Sequence, residues 1–94
     1  MTSCVIVDVR SEQEFAAGHL TGAINIPHDQ IAQRIDSLDG IDRSSELLVY
    51  CRSGARSAMA CSALAQQGFE RVVNGGSMMA LLMQIKGTIS DVGI

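Results

Sequence analysis

This 94-residue sequence predicts a single α/β domain built on a mainly parallel sheet. Short apolar, β-branched runs alternate with segments of helical composition, the pattern of βαβ units. The runs contain few polar residues, as strands covered on both faces do. No linker, internal repeat or low-complexity tract divides the chain, so residues 1–94 form one domain, with 88–94 expected as a loose tail.

The first strand is expected at residues 4–9, nearly all apolar and interrupted by Asp8 toward its C-terminal end, where α/β sheets place their sites. Ser11 with Glu14 three residues on forms a capping box, opening a short helix that Gly18 should end as a left-handed C-cap. Residues 23–26 read as a second strand closed by Pro27, the only proline. Ile31, Ala32, Ile35 and Leu38 keep helical spacing from Asp29 onward, and Asp39-Gly40 turns the chain. The third strand is expected at 47–50, and the following helix at 57–67 with Ser57 as its N-cap and Gly68 as its stop. Phe69 should pack back, 71–73 should be a short strand, Asn74-Gly75-Gly76 a turn, and 77–83 the last helix.

Composition narrows the function classes. A net charge of −3 argues against nucleic acid, which calls for a basic face. No stretch approaches the roughly 20 apolar residues of a membrane span. Cys4, Cys51 and Cys61 are too few and scattered for a disulfide framework, and no Cys/His spacing suits a metal. No metal and no cofactor are expected. The chain reads as a cytoplasmic monomer, or a periplasmic one if a leader has been removed.

The chemistry concentrates at Cys51-Arg52-Ser53-Gly54-Ala55-Arg56-Ser57, between the third strand and its helix. A strand–loop–helix connection of this kind turns backbone N–H groups inward at a helix start, where the macrodipole favours negative charge. Cys51, expected just past the strand at the rim of this cup, lies beside two arginines. Both effects favour the thiolate, which is the nucleophile. A plainer reading makes Cys51 a buried strand-end cysteine. It leaves unexplained the small residues Ser53, Gly54 and Ala55, which let the backbone curl, and the like charges of Arg52 and Arg56.

Four segments in order carry a resemblance: Asp8-Val9-Arg10; Glu14 through Pro27, including Gly18-His19-Leu20; Tyr50 through Ser57; and Gly75-Gly76. Together they resemble the single-domain rhodaneses, most of all the small phage-shock-protein-E type, over about residues 4–87. The resemblance implies a mainly parallel sheet of four or five strands flanked by helices: five are common, and this chain starts almost on the strand of Asp8 and Arg10. It implies a thiosulfate sulfurtransferase in which Cys51 takes sulfane sulfur as a persulfide and passes it to cyanide or a thiol. Its partners would be a small anionic donor and a thiophilic acceptor. Ping-pong catalysis through Cys51 follows. The loop amides would stabilise the anionic outer sulfur, Arg52 and Arg56 would orient the donor, and Ser53 or Ser57 could add a hydroxyl.

Asp8, Arg10 and His19 are expected to be structural supports: the first two tie down the strand end, and His19 satisfies carbonyls after a helix C-terminus. His28 is expected as a solvated loop residue, Cys4 and Cys61 as bystanders. The run 78–83 could be core or a soft lip to the pocket; many relatives carry a tryptophan there, replaced here by Met78, Met79 and Leu81. The spacing from Cys51 to Arg56 is C-x4-R, one residue shorter than the phosphatase cradle C-x5-R, which disfavours phosphatase or arsenate chemistry. The same residues are compatible with a persulfide carrier serving a protein acceptor and, less well, with a regulatory domain without catalysis. The physiological donor, acceptor and pathway stay open.

Overall fold

The computed structural model describes residues 4–38 and 41–85. The expected turn at Asp39-Gly40 and the tail at 88–94 lie outside the described residues. The elements run β1 (Cys4–Asp8), α1 (Glu12–Ala17), β2 (Ile24–Asn25), α2 (Ile31–Arg34), β3 (Glu46–Cys51), α3 (Ala55–Gln66), β4 (Arg71–Ser77) and α4 (Met78–Ile85), with a 3-10 turn at Ile35–Ser37. All strand pairs are parallel, in the order β2-β1-β3-β4. The expected α/β class and parallel sheet are both present, with four strands.

Alternation along the two central strands sorts the core. Val5, Val7, Leu47, Val49 and Cys51 belong to a larger cluster with Ile31, Ile35, Ala60, Leu64 and Phe69, so α2 and α3 cover that face. Ile6, Leu48 and Tyr50 belong to a smaller cluster with Leu20, Met78 and Leu81 on the other face. The period of two explains why β1 and β3 read as continuous apolar runs: each set of side chains packs, buried or partly buried, into a core cluster. Phe69 packs back as expected, 4% exposed, with its N–H on the Leu64 carbonyl.

Four local expectations change. The helix expected across Ile31 to Leu38 tightens after Arg34 into a 3-10 turn, and Leu38 is already extended, with ψ 128°. Asp36 is a residue whose side chain competes with helical backbone bonds. Gly18 does not adopt the left-handed cap; at φ 151°, ψ 136° it takes an extended conformation open to glycine. That turn aims its carbonyl at Arg10 Nη2, 2.6 Å away. Helix α3 starts at Ala55 on Gly54, not at Ser57, because Gly54 is itself left-handed at φ 101° and turns the chain straight into the helix.

The fourth concerns Asn74-Gly75-Gly76, which is strand and not turn. β4 runs on to Ser77, with a register shift: Val49 faces Asn74, but Tyr50 faces Gly76. Gly75 is the extra residue of a bulge. A Cβ there would lie 2.8 Å from Leu81 Cδ1 and 3.2 Å from Leu48 Cδ1, so any larger residue would force the Leu81 side chain to shift where α4 packs on the sheet. The bulge places Asn74 beneath the loop after β3.

Candidate active site

Cys51 is the last residue of β3, and its side chain faces the larger core cluster. Its sulfur lies on the floor of the loop rather than at its rim, and the residue is 0% exposed. The Gly54 amide donates to Sγ at 2.9 Å and the Ser57 amide at 3.3 Å. Ser57 is the third residue of α3, so its N–H is one of the four that a helix start leaves unpaired. The sulfur thus takes the place of a capping side chain, which Gly54 does not have. Burial pushes the Cys51 thiol up, but the amides turned on the sulfur, that of Ser57 first and those of Gly54 and Ser53 after it, outweigh it. The net result is a pKa below the ordinary thiol value. For Cys61, packed against the larger cluster, burial acts unopposed and raises the thiol; exposed Cys4 is raised as well, by burial and then by Glu46.

The loop is braced from β4. Asn74 Oδ1 accepts the Ser57 hydroxyl at 2.7 Å and the Gly76 amide at 2.9 Å. The hydroxyl also lies 2.9 Å from the Gly54 carbonyl. One hydroxyl has one proton, and the shorter contact to Asn74 takes it. Ser57 is therefore held by the bulge strand while its amide stays on the sulfur. Ser53 and Ala55 are exposed on the outside of the loop.

The two arginines of the loop differ. Arg56 Nη1 and Nη2 donate to the Glu14 carboxylate at 2.7 and 3.1 Å, across 42 residues of sequence. Both side chains are about 30% exposed. A cation in the first turn of α3 opposes the helix dipole, and Glu14 offsets it. The same carboxylate completes the capping box by accepting the Ser11 N–H at 3.0 Å, while the Ser11 hydroxyl accepts the Glu14 N–H. The hydrogen bond to Arg56, with that from Ser11, holds the Glu14 carboxyl at about 2. Glu14 links α1 to the loop, a role its capping pattern did not reveal. Arg52 is exposed and makes no ion pair with the described residues.

Asp8, Arg10 and His19 frame the site. Asp8, fully buried, accepts the Arg10 backbone N–H at 2.9 Å and its guanidinium at 2.7–3.0 Å. Burial works against the Arg10 charge, but its hydrogen bonds to Asp8 more than compensate and raise its pKa. Asn25 Nδ2 donates to the Asp8 and Arg10 carbonyls, both at 3.0 Å, locking β2 to the same corner. His19 stacks on Phe15 at 3.7 Å, and its Nδ1 lies 2.8 Å from the Phe15 carbonyl at the end of α1. Sequence reasoning passed over Tyr50, whose buried hydroxyl accepts the Leu20 N–H at 3.1 Å under the Arg10 guanidinium. Burial raises its pKa above the usual phenol value. His28 is half-buried, with its N–H on the Val9 carbonyl.

Beside the loop lies an open cleft of about 360 Å³, lined by Arg10, Glu14, Ala17, Arg52, Met78 and Met79. Met78 packs against the smaller core cluster, while Met79 is 64% exposed. Met78 and Met79 are thus the lip of a cleft as well as its support. Among the described residues no group of three His, Cys, Asp or Glu could hold a metal ion, and no helix is long and apolar enough to cross a membrane.

Residues 1–78 match the family model of the rhodanese-like domain. A protein named sulfurtransferase from Allochromatium vinosum is 40% identical over 70 residues, covering 74% of this chain and 63% of that protein. A Bacillus subtilis protein, YrkF, whose name proposes a sulfur carrier, is 36% identical over 69 residues, covering 73% of this chain and 36% of that one. The match therefore spans less than two thirds of either relative. The thiosulfate sulfurtransferase PspE of Escherichia coli is 33% identical over 82 residues, covering 86% of this chain and 78% of that one. Among solved structures, an Escherichia coli rhodanese with anions superposes with a TM-score of 0.77 at 31% identity, covering 83% of this chain and 91% of that one.

Proposed function

Because this chain belongs to the rhodanese-like domain family, we propose that it is a thiosulfate sulfurtransferase that carries sulfane sulfur as a persulfide on Cys51. One observation carries the reading: two inward amides, of Gly54 and Ser57, converge on a single buried sulfur at a helix start. Such a donor set stabilises negative charge on sulfur without a general base.

The Cys51 thiolate attacks the outer sulfur of thiosulfate. A bond forms between Sγ and that sulfur, the sulfur–sulfur bond of thiosulfate breaks, and its electron pair leaves with sulfite. The persulfide anion remains, with loop amides to stabilise it. Cyanide or a thiol then attacks the outer sulfur and returns the Cys51 thiolate. Arg52, exposed and unpaired among the described residues, draws the anionic donor in, and Arg56 is the positioned cation behind it. Ser57 supports through its amide and its bond to Asn74; Ser53, Gly54 and Ala55 supply the backbone curve. Asp8, Arg10 and His19 act as the scaffold. The protein works as a monomer in a reducing compartment.

Intact mass after thiosulfate treatment is the test. One sulfur atom should be gained, removed by cyanide, and absent in Cys51→Ser. No adduct with any donor would refute the proposal. The name of the Bacillus relative favours a second reading, a persulfide carrier with a protein acceptor. It predicts normal loading with cyanide turnover far slower than transfer to a protein thiol. Phosphatase chemistry fits poorly, since the arginine of the shorter C-x4-R loop is already held by a carboxylate.

A further inference from the structure

The cleft beside the loop is too large and too apolar for thiosulfate alone. Its volume of about 360 Å³ is in the range of small-molecule pockets, whereas thiosulfate has five heavy atoms. Half of its lining residues, Ala17, Met78 and Met79, are apolar, and Met79 is 64% exposed.

The charges of the wall point the same way. Arg10 is bound to Asp8 and to the Gly18 carbonyl. Glu14 is bound to Arg56. Each of those cations is matched by one carboxylate, so the cleft has a single unmatched charge among the described residues, that of Arg52. A wall with one free cation and an apolar lip complements one negative charge on an apolar body better than a compact dianion.

We infer that the preferred donor is an organic sulfane-sulfur monoanion, its charge against Arg52 and its apolar group along Ala17, Met78 and Met79, and that Glu14 sets this preference by neutralising Arg56. This rests on the sulfurtransferase reading of Cys51. With a thiosulfonate the step balances. The Cys51 thiolate takes the outer sulfur, the bond from that sulfur to the sulfonyl sulfur breaks, and the organic group leaves as a sulfinate. Two negative charges stand on each side and no proton moves.

The test compares kcat/KM, with cyanide as common acceptor, for thiosulfate and for methane-, propane- and butanethiosulfonate. The organic donors share one leaving-group chemistry and one charge, so chain length isolates the apolar contact. From methane to butane the rate constant should rise about tenfold, three methylenes being partly buried. Met79→Ala should flatten that rise. Glu14→Gln keeps a capping-box residue but unmatches Arg56, and should raise thiosulfate relative to methanethiosulfonate about threefold at low salt. A chain-length dependence under twofold, or equal effects of Glu14→Gln on both charges, overturns the inference while thiosulfate turnover leaves the enzyme reading standing. Failure of every donor to load Cys51 overturns both.

Discussion

Replacing Asp8 by Asn tests whether the most buried charged pair is scaffold or chemistry. The carboxylate is 0% exposed and its partner guanidinium 7%. Asn keeps the shape and one acceptor oxygen but removes the charge, leaving a buried guanidinium without its counter-ion. Breaking a buried pair from one side costs about 3–5 kcal/mol, and the retained oxygen places this change near the low end, about 3 kcal/mol. For a domain of this size that corresponds to a fall in Tm of roughly 12–24 °C. Urea denaturation followed by circular dichroism would measure it. Adding Arg10→Met should recover part of the loss, because the orphaned charge goes with it, giving a coupling of about 1 kcal/mol or more. Persulfide loading, measured where the variant is fully folded, should stay within about threefold of the parent, as scaffold roles allow. A stability loss under about 1 kcal/mol, or loading abolished in folded protein, would refute the scaffold role.

The remaining predictions concern titration. Mass-resolved alkylation against pH should place the Cys51 midpoint below the usual thiol value and that of Cys61 above it, since loop amides oppose burial at the first and nothing opposes it at the second; the reverse order would remove the thiolate argument. Glu14, lowered from 4.5 to about 2 in the folded state, contributes stability that is fully present above about pH 4.5 and lost as pH falls toward 2. As both partners are about 30% exposed, the contribution should be only about 1 kcal/mol. Urea midpoints at pH 6 and pH 3 should therefore converge partly in Glu14→Gln; an unchanged acid sensitivity would show that the pair does not stabilise the loop.

What the sequence made legible was whatever has a local cause. The apolar runs of β1 and β3 are legible because both faces of each strand pack into a core cluster. The capping box at Ser11 and Glu14 forms with both of its reciprocal bonds. The cysteine loop is legible because small residues and an inward helix start are local properties. What escaped has a distant cause. Asn74-Gly75-Gly76 has the composition of a turn, and only its pairing with β3, through a register shift, makes it a bulged strand. Ser57 looks like an N-cap by type, but left-handed Gly54 starts the helix earlier and leaves the Ser57 amide for the sulfur. Glu14 already had a sufficient local role, so nothing in its neighbourhood announced Arg56.

The pairing of Arg56 also bears on the size argument from the loop. Counting residues from Cys51 to Arg56 treats the arginine as the far wall of an anion cradle. In the fold, that arginine is turned onto α1 by Glu14, and the groups that meet the sulfur are backbone amides. A short loop therefore does two things at once: it brings the Gly54 and Ser57 amides within reach of one sulfur atom, and it puts Arg56 where a carboxylate from another element can hold it. Under the proposed function, selectivity for sulfur is assigned to the amides, and selectivity among donors to the wall that Glu14, Arg52, Met78 and Met79 share. The two should separate experimentally, because side chains of the wall can be exchanged while the amides stay in place.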